Sequence, residues 1–297
     1  MKKMTKFFAL ALLAGAMVSC STEDIAPSTQ NDKVAVQFTG GISVNTRAAG
    51  LAWADGDMIG IFMTGTKQPL SADAIQEGVD NICYQTSGSI GFSPVSGGKT
   101  VFFPIDGDVD FYSYYPQTTV NDYKVALDVT YQTKQEAIDF MYAKTEGCNK
   151  ATPQVFLKFY HKLSNLVLDV QPGNGLTQED LKKMTVKVKD QNTKATFNLA
   201  DGTISGEGNP TDIEMKTTQA GKLYEAILLP TEEASRVIEF DLNNGYDAPF
   251  VWTMPAKLEG GKRYHYTVVK LSRSAVDISG NIEPWIKAGD DNEHIAQ

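Results

Sequence analysis

The sequence is poor in cysteine and histidine and carries fewer basic than acidic side chains. Its 297 residues include 3 cysteines and 3 histidines, and 36 acidic residues against 27 basic ones give a net charge of −9. So few cysteines exclude a disulfide-built scaffold, and the acidic balance argues against a nucleic-acid partner. The chain is 42% hydrophobic, as folded globular proteins are, and its length predicts about two domains.

The signatures of enzymes are missing as well. His161, His265 and His294 form no metal-binding spacing of the HExxH type, and no GxSxG segment supplies a nucleophile. The segment from Gly91 to Gly98 has too many residues between its glycines for a phosphate-binding loop, so it predicts a β-turn. We therefore predict that the protein is not an enzyme and uses neither a cofactor nor a metal.

An aspartate-rich segment, residues 106–110, imitates the alternating ligands of a calcium loop. Phe111 and Gln117 occupy the positions where such a loop needs glycine and glutamate. The segment therefore predicts a solvated hairpin loop rather than a cation site.

Hydrophobic runs long enough to span a bilayer are absent. The run 7–18 at the start of the chain is too short, and it follows three lysines, Lys2, Lys3 and Lys6. That order is typical of a cleaved secretory signal. The run ends in Met17-Val18-Ser19-Cys20, which resembles a lipobox, so we predict a lipoprotein signal over residues 1–20 with lipid attached to Cys20. The alternative is an ordinary signal in which this cysteine is incidental.

Alternation of apolar and polar residues dominates the rest of the chain. Val34, Val36, Phe38, Ile42 and Val44 share one parity, and the residues between them are mostly polar. This period of two predicts one long strand with one buried face.

Many similar runs follow, with almost no helical pattern between them. The strand-like segments are 58–63, 81–86, 100–103, 109–115, 123–131, 139–143, a run starting at 155, 163–170, 184–188, 194–199, 223–229, 237–242, 250–254, 263–271 and 275–278. One possible capping box, residues 177–183, predicts a short helix. The pattern favours an all-β protein with two tandem β-sandwiches, over residues 48–150 and 151–297.

Two features of this body leave alternatives open. Cys83 and Cys148 could pair in an oxidising compartment or could both be free and buried. The aromatic run 111–115 places rings on both faces of one strand. Tyr112 and Tyr114 could form a sugar-stacking surface, but core on one face and a neighbouring segment on the other is the commoner arrangement.

A single arginine follows the first strand. Arg47 lies in Asn45-Thr46-Arg47-Ala48-Ala49, and the small residues after it are typical of an exposed link that proteases cut. Cleavage between Arg47 and Ala48 would detach a whole strand and leave an apolar groove with unpaired backbone groups. The alternative is an arbitrary surface arginine.

The same alternation returns near the end of the chain. Val276, Ile278, Ile282 and Ile286 repeat the parity of the first strand, and each series contains a glycine. A strand with this pattern could enter a neighbour's vacant groove by strand addition. It could equally be the last strand of its own domain.

At these residues the chain resembles the fimbrillin family of Bacteroides-type bacteria, whose members are lipoprotein-derived subunits of surface fimbriae. The resemblance spans nearly the whole chain. Its matching segments are the lipobox at Cys20, the junction 45–48, and residues 53–62, 109–116, 159–164 and 261–266.

The resemblance implies tandem transthyretin-like, Greek-key β-sandwiches and export to the outer membrane through lipid on Cys20. It further implies maturation by an arginine-specific protease after Arg47, loss of a first strand within residues 21–47, and polymerisation with other fimbrial subunits by strand exchange. Residues 275–286 are the candidate donor. We expect a fimbrial structural subunit that supports adhesion. The alternative is a surface-anchored or tip adhesin that binds a host glycan or protein without polymerising.

Overall fold

The computed structural model describes residues 33–43, 53–208, 210–273 and 275–284, and these residues form strands almost throughout. Two short 3-10 turns lie at Ala72–Ala74 and Gln135–Ala137. The strands are β1 (Gln37–Ile42), β2 (Asp55–Gly65), β3 (Ile82–Ser87), β4 (Gly91–Pro94), β5 (Val109–Tyr115), β6 (Lys124–Asp128), β7 (Met141–Cys148), β8 (Gln154–His161), β9 (Ser164–Pro172), β10 (Thr185–Gln191), β11 (Lys194–Asn198), β12 (Thr203–Glu207), β13 (Thr211–Glu214), β14 (Lys216–Gln219), β15 (Leu223–Leu228), β16 (Arg236–Asp241), β17 (Phe250–Met254), β18 (Lys262–Ser272) and β19 (Ala275–Pro284). The predicted all-β class is confirmed.

The first strands close into a seven-stranded barrel in the order β1-β4-β3-β2-β5-β7-β8. Most neighbours are antiparallel, but the closing pair β1 and β8 is parallel. Closure removes the exposed edges that an open sheet would present. The barrel interior holds one hydrophobic core, which includes Val36, Phe38, Phe111 and Phe159.

Three further sheets follow, in the orders β13-β10-β16-β17, β12-β11-β6 and β14-β15-β9-β18-β19. Their apolar faces share a second core, which includes Leu168, Phe197 and Phe240. The parallel pair β9 and β18 forms the centre of the five-stranded sheet, and β19 lies at its edge. Among the described residues, no helix is long and apolar enough to cross a membrane.

Strand β5 connects the two cores because both of its faces are buried. Phe111 and Tyr115 point into the barrel core, whereas Tyr112 and Tyr114 belong to the second core. All seven residues of β5 are buried. A strand covered on both faces reads as a continuous apolar and aromatic run rather than as an alternating one.

The sequence missed four short strands, β4, β12, β13 and β14, and two of its assignments are wrong. Residues 100–103 form no strand; only an isolated bridge joins Ala35 to Phe102, because the Val101 N–H bonds the hydroxyl of Tyr84 instead of a ladder partner. Residues 178–183 form consecutive turns. The capping contacts of Thr177 with Asp180 are present, yet no helix follows them.

The predicted division at residue 150 stays a prediction, since the chain from Lys33 onward forms one compact unit. The chain passes from the barrel to the second group of sheets after residue 150. Strand β8 still belongs to the barrel and ends at His161, and β9 in the second group begins at Ser164. Strand β6 lies earlier in the chain but pairs with β11.

Candidate functional site

Strand β1 is bonded along both edges, as a central strand is. Six residues from Gln37 to Ile42 run parallel to β8, in register with Gln154 to Phe159. On the other side Phe38 and Thr39 pair with β4. The ladder extends beyond the strand, because Val36 N–H donates to Val101 O at 2.9 Å and Ser43 N–H to Phe159 O at 2.7 Å. Removing β1 would therefore unpair two strands at once.

The inward side chains of β1 are part of the barrel core. Val36 and Phe38 are 5% and 2% exposed, so the predicted buried parity holds for these two residues, whereas Val34 and Ile42 are half-buried. The Phe38 ring meets Tyr84 and Phe111 edge-to-face at 5.2 and 5.1 Å between centroids. Burial of each such side chain contributes about 1.5–3 kcal/mol, so a barrel without β1 would expose costly apolar surface.

Trp53 fixes the chain directly after the link that follows β1. Its indole N–H donates to the Gly40 carbonyl at 2.8 Å, and the side chain is 3% exposed. The ring meets those of Phe92, Tyr115 and Phe159 edge-to-face at 5.1–5.5 Å. Trp53 therefore contacts both the main chain of β1 and the aromatic wall of the groove that holds β1.

The start of β2 is held by contacts that do not involve β1. The Asp57 carboxylate accepts from the Ala54 N–H at 2.8 Å and from the Tyr115 hydroxyl at 3.0 Å. Burial, with the nearby charge of Asp57, raises the pKa of the Tyr115 hydroxyl above its usual value. The tyrosine therefore stays protonated and donates. Because these bonds lie after the link, a cut within the link leaves them in place.

The candidate donor strand β19 pairs with β18 in its own sheet. Nine register pairs run from Lys262 with Pro284 to Ser272 with Ala275, interrupted by an irregularity between His265 and Val268. Ile282 is 58% exposed there. The described structure thus places this segment as the last strand of its own sheet, one of the two arrangements that the sequence leaves open.

Comparison with known proteins decides the family. Residues 46–285 match a family model described as fimbrillin-like. The chain belongs to the fimbrillin-like family. This matched region begins after β1 and ends just after β19.

Several proteins of Bacteroides species are similar to this fimbrillin-like chain. It is 33% identical over 290 residues to Fim1C of Bacteroides uniformis, described as a fimbrium subunit, with 93% of each chain covered. Among solved structures, a cell adhesion protein of Bacteroides uniformis has a TM-score of 0.73 at 31% identity, over 86% of this chain and 99% of that one. A cell adhesion protein of Bacteroides ovatus has a TM-score of 0.69 at 25% identity, over 86% and 98%.

Several predicted sites of the fimbrillin-like chain lie outside the described residues. They are the lipidation site Cys20, the strand residue Val44, the junction residues Arg47 and Ala48, and Ile286 of the candidate donor. For Ile278 the structure gives the backbone register, opposite Val269.

The proposed sugar-stacking face is wrong for this fimbrillin-like chain. Tyr112 and Tyr114 are 1% and 0% exposed. The Tyr114 hydroxyl is satisfied within the protein, because Asn81 Oδ1 and Thr118 O lie 2.8 and 2.7 Å from it, and its ring stacks on Phe62 and Phe140. The commoner arrangement, core on one face and a neighbouring segment on the other, is confirmed.

Sequence reasoning missed the role of Asp110, which it placed in a solvated loop. The side chain is fully buried and accepts from the Thr66 hydroxyl, the Lys67 N–H and the Gly147 N–H at 2.8–3.0 Å. It therefore joins the turn after β2 to β7. The parity of Asp110 within β5 was the one available signal, since it places the carboxylate inside a buried strand.

The two cysteines of the described chain are both free thiols. Burial raises the pKa of Cys83, and burial together with Asp110 and Asp108 raises the pKa of Cys148 to about 11. Across the described ranges, no group of three histidine, cysteine or acidic side chains is arranged to hold a metal ion.

Proposed function

We propose that this chain is a structural subunit of cell-surface fimbriae that matures by losing β1. In this proposal it is exported as a lipoprotein through Cys20 and anchored in the outer membrane. An arginine-specific protease then cuts after Arg47, and the vacated groove takes a strand from another fimbrial subunit. Membership of the fimbrillin-like family and the fimbrium-subunit relative support the general role.

The observation that carries the proposal is the position of β1 relative to its link. Strand β1 completes the barrel, yet only residues 44–52 separate the described part of β1 from Trp53, and Arg47 lies among them. The contacts of Trp53, Asp57 and Tyr115 hold the chain just after the link. A single cut would therefore separate β1 covalently from a barrel whose other strands keep their anchors.

Loss of β1 would give the barrel two unpaired edges and an open core. Strands β4 and β8 would each lose one of their two main-chain partners, and Phe111 and Phe159 would face solvent. Unpaired buried backbone groups and exposed aromatic surface are both costly. These costs are the driving force for uptake of a replacement strand, and residues 275–286 are our candidate for it.

Size-exclusion chromatography after limited cleavage with a trypsin-like protease tests this proposal. The cut at Arg47, verified by mass spectrometry, should convert monomer into a ladder of larger species. The matched control is Arg47→Ala, which should remain monomeric under the same treatment. A chain that is cut at Arg47, loses β1 and stays monomeric would contradict the strand-exchange role.

A second candidate is a tip adhesin that binds a glycan or a host protein, since two similar solved structures are described as cell adhesion proteins. The observation that favours it is Tyr246, which is 95% exposed on a braced loop. Asn244 accepts from the Tyr246 N–H at 3.0 Å and donates to Asp247, which also pairs with Arg273. Rigid exposed aromatics suit binding because little entropy is lost. Glycan-array binding that disappears in Tyr246→Ala but survives in Tyr131→Ala would support it.

A further inference from the structure

The main chain of β1 passes through a slot with no room for a side chain. A Cβ atom at Gly40 would lie 2.9 Å from the ring of Phe92 and 3.3 Å from the ring of Phe159. Gly40 points into the barrel, with the same parity as Phe38. Its backbone is in extended strand, so the constraint is one of space rather than of backbone conformation.

The two rings that form the slot have little freedom to move aside. Phe92 on β4 and Phe159 on β8 are 6% and 0% exposed. Trp53 braces both, edge-to-face at 5.1 Å. These three residues lie after Arg47, so the walls of the slot remain when β1 leaves.

The outer face of the same strand is more tolerant. A Cβ atom at Gly41 would lie 2.9 Å from the Phe156 ring tip, but Phe156 is 53% exposed and can turn into solvent. Of the two glycines, only the inward-facing Gly40 therefore strongly excludes a larger side chain.

Strand β19 of the same chain repeats the β1 series 240 positions later, with the glycine in the same place. Ala275, Val276, Gly280 and Ile282 repeat Ala35, Val36, Gly40 and Ile42, and Ile278 stands for Phe38. If a copy of β19 entered the groove with Gly280 in the slot, Ile278 and Ile282 would take the inward positions. A slip of two residues would force one of these isoleucines into the slot, and a slip of one would turn the apolar face outward.

We infer that Gly40 marks a register slot, that the incoming strand belongs to a second copy of this chain, and that Gly280 of that copy occupies the slot. The inference rests on the proposed strand exchange and adds its partner and its register. In that register the Gly280 carbonyl takes the place of the Gly40 carbonyl as the acceptor for the Trp53 indole N–H.

Gly280 also packs closely against β18 in its own sheet. The test must therefore separate this packing from the proposed contact in the slot of the acceptor. A Cβ there would lie 2.5 Å from Tyr266 Cα and 2.6 Å from His265 O, both backbone atoms. Substitution in the full chain would therefore disturb β18 and β19 directly. A synthetic peptide of residues 273–286 avoids this, because only the acceptor protein must fold.

The experiment measures fluorescence anisotropy of labelled peptides added to the protein cut after Arg47, freed of β1 and kept at concentrations where it is monomeric. We expect the unmodified peptide to bind, and Gly280→Ala to weaken binding at least about tenfold, since overpacking a rigid site is costly. The matched control peptide, Ser279→Ala, should bind within about twofold, because outward positions contribute little.

Enlarging the slot supplies a second readout. In an acceptor carrying Phe92→Leu, the penalty for the Gly280→Ala peptide should shrink while the control peptide is unaffected. Equal binding of the Gly280→Ala and Ser279→Ala peptides would overturn the slot and leave strand exchange standing. If no peptide binds although β1 has gone, a second copy of this chain is not the donor and the assignment of Gly280 fails. Strand exchange itself fails only if the cut protein without β1 also stays monomeric in size-exclusion chromatography.

Discussion

At the scale of single residues, buried polar groups bond neighbouring segments of the barrel to one another. Asp110 accepts three hydrogen bonds while fully buried, and the Trp53 indole bonds a carbonyl of β1. A buried carboxylate is tolerated only when its oxygens are satisfied. Such groups therefore mark positions at which substitution should be expensive.

Asp110→Asn should lower the free energy of unfolding by about 2–3 kcal/mol, because an amide N–H₂ replaces one of the two accepting oxygens and leaves the main-chain N–H of either Lys67 or Gly147 without its acceptor. Urea denaturation of the purified protein measures this. The control is Asp108→Asn on the neighbouring exposed loop, which we expect to change stability by less than about 0.5 kcal/mol. Equal stability of the two variants would show that the Asp110 contacts are not structural.

Alkylation should report the raised pKa of Cys148. Because the thiolate is the reactive form, a pKa of about 11 means slow reaction with iodoacetamide at pH 8 in the folded protein. The rate should rise as pH approaches 11, and unfolding should release fast reaction at pH 8. Cys148→Ser identifies the labelled site. Rapid labelling at pH 8 in the native state, or a disulfide between Cys83 and Cys148, would contradict the structure.

At the scale of elements, alternation predicted the strands well and failed where ladders are short or irregular. β1 and β8 alternate clearly, whereas β4 and β12–β14 have four or five residues each and give too few positions for a period. The segment 177–183 carries capping residues. Such residues favour the position at which a helix begins, but they do not ensure that a helix forms. The parallel closure of β1 on β8 is long-range and left no local signal.

Because Ile282 is exposed in its own sheet, a substitution there can test the donor role of β19 without disturbing that sheet. Ile282→Asp should leave monomer stability within about 0.5 kcal/mol, since the side chain is 58% exposed in β19. It should nevertheless block assembly after cleavage, because a carboxylate would enter the half-buried position of Ile42.

The matched control is Ser279→Asp, which changes an exposed β19 residue to the same charge but points outward in the acceptor groove. Sedimentation velocity after cleavage at Arg47 measures both variants. Normal polymers from Ile282→Asp would remove this strand from the donor role.

At the scale of the whole molecule, the barrel and the later sheets share side chains rather than simply following one another. Phe62, Tyr112 and Tyr114 from barrel strands belong to the second core. The sequence could predict two β units but not the contact between their cores. Tyr112 and Tyr114 would give the same sequence pattern whether a neighbouring segment covered their rings or left them exposed to a ligand. Only the packing of β5 distinguishes them.

Phe140 tests how strongly the two cores are coupled. Its ring lies between Tyr114 and Phe197, with centroids 6.1 and 4.7 Å away. Phe140→Ala should cost about 3–5 kcal/mol, and hydrogen exchange should show β2 and β10 losing protection together. Phe156→Ala, at a position that is 53% exposed, is the control and should change little. Loss of protection in only one of the two strands would show that the cores unfold independently.

If maturation proceeds as proposed, β1 is absent from the assembled form of the subunit. N-terminal sequencing with intact mass, on subunits recovered from assembled fimbriae of the native surface, measures where the assembled chain begins. We predict a chain that begins at Ala48 and lacks the residues before it. Assembled subunits that begin at lipidated Cys20 and still carry residues 34–44 would contradict the account.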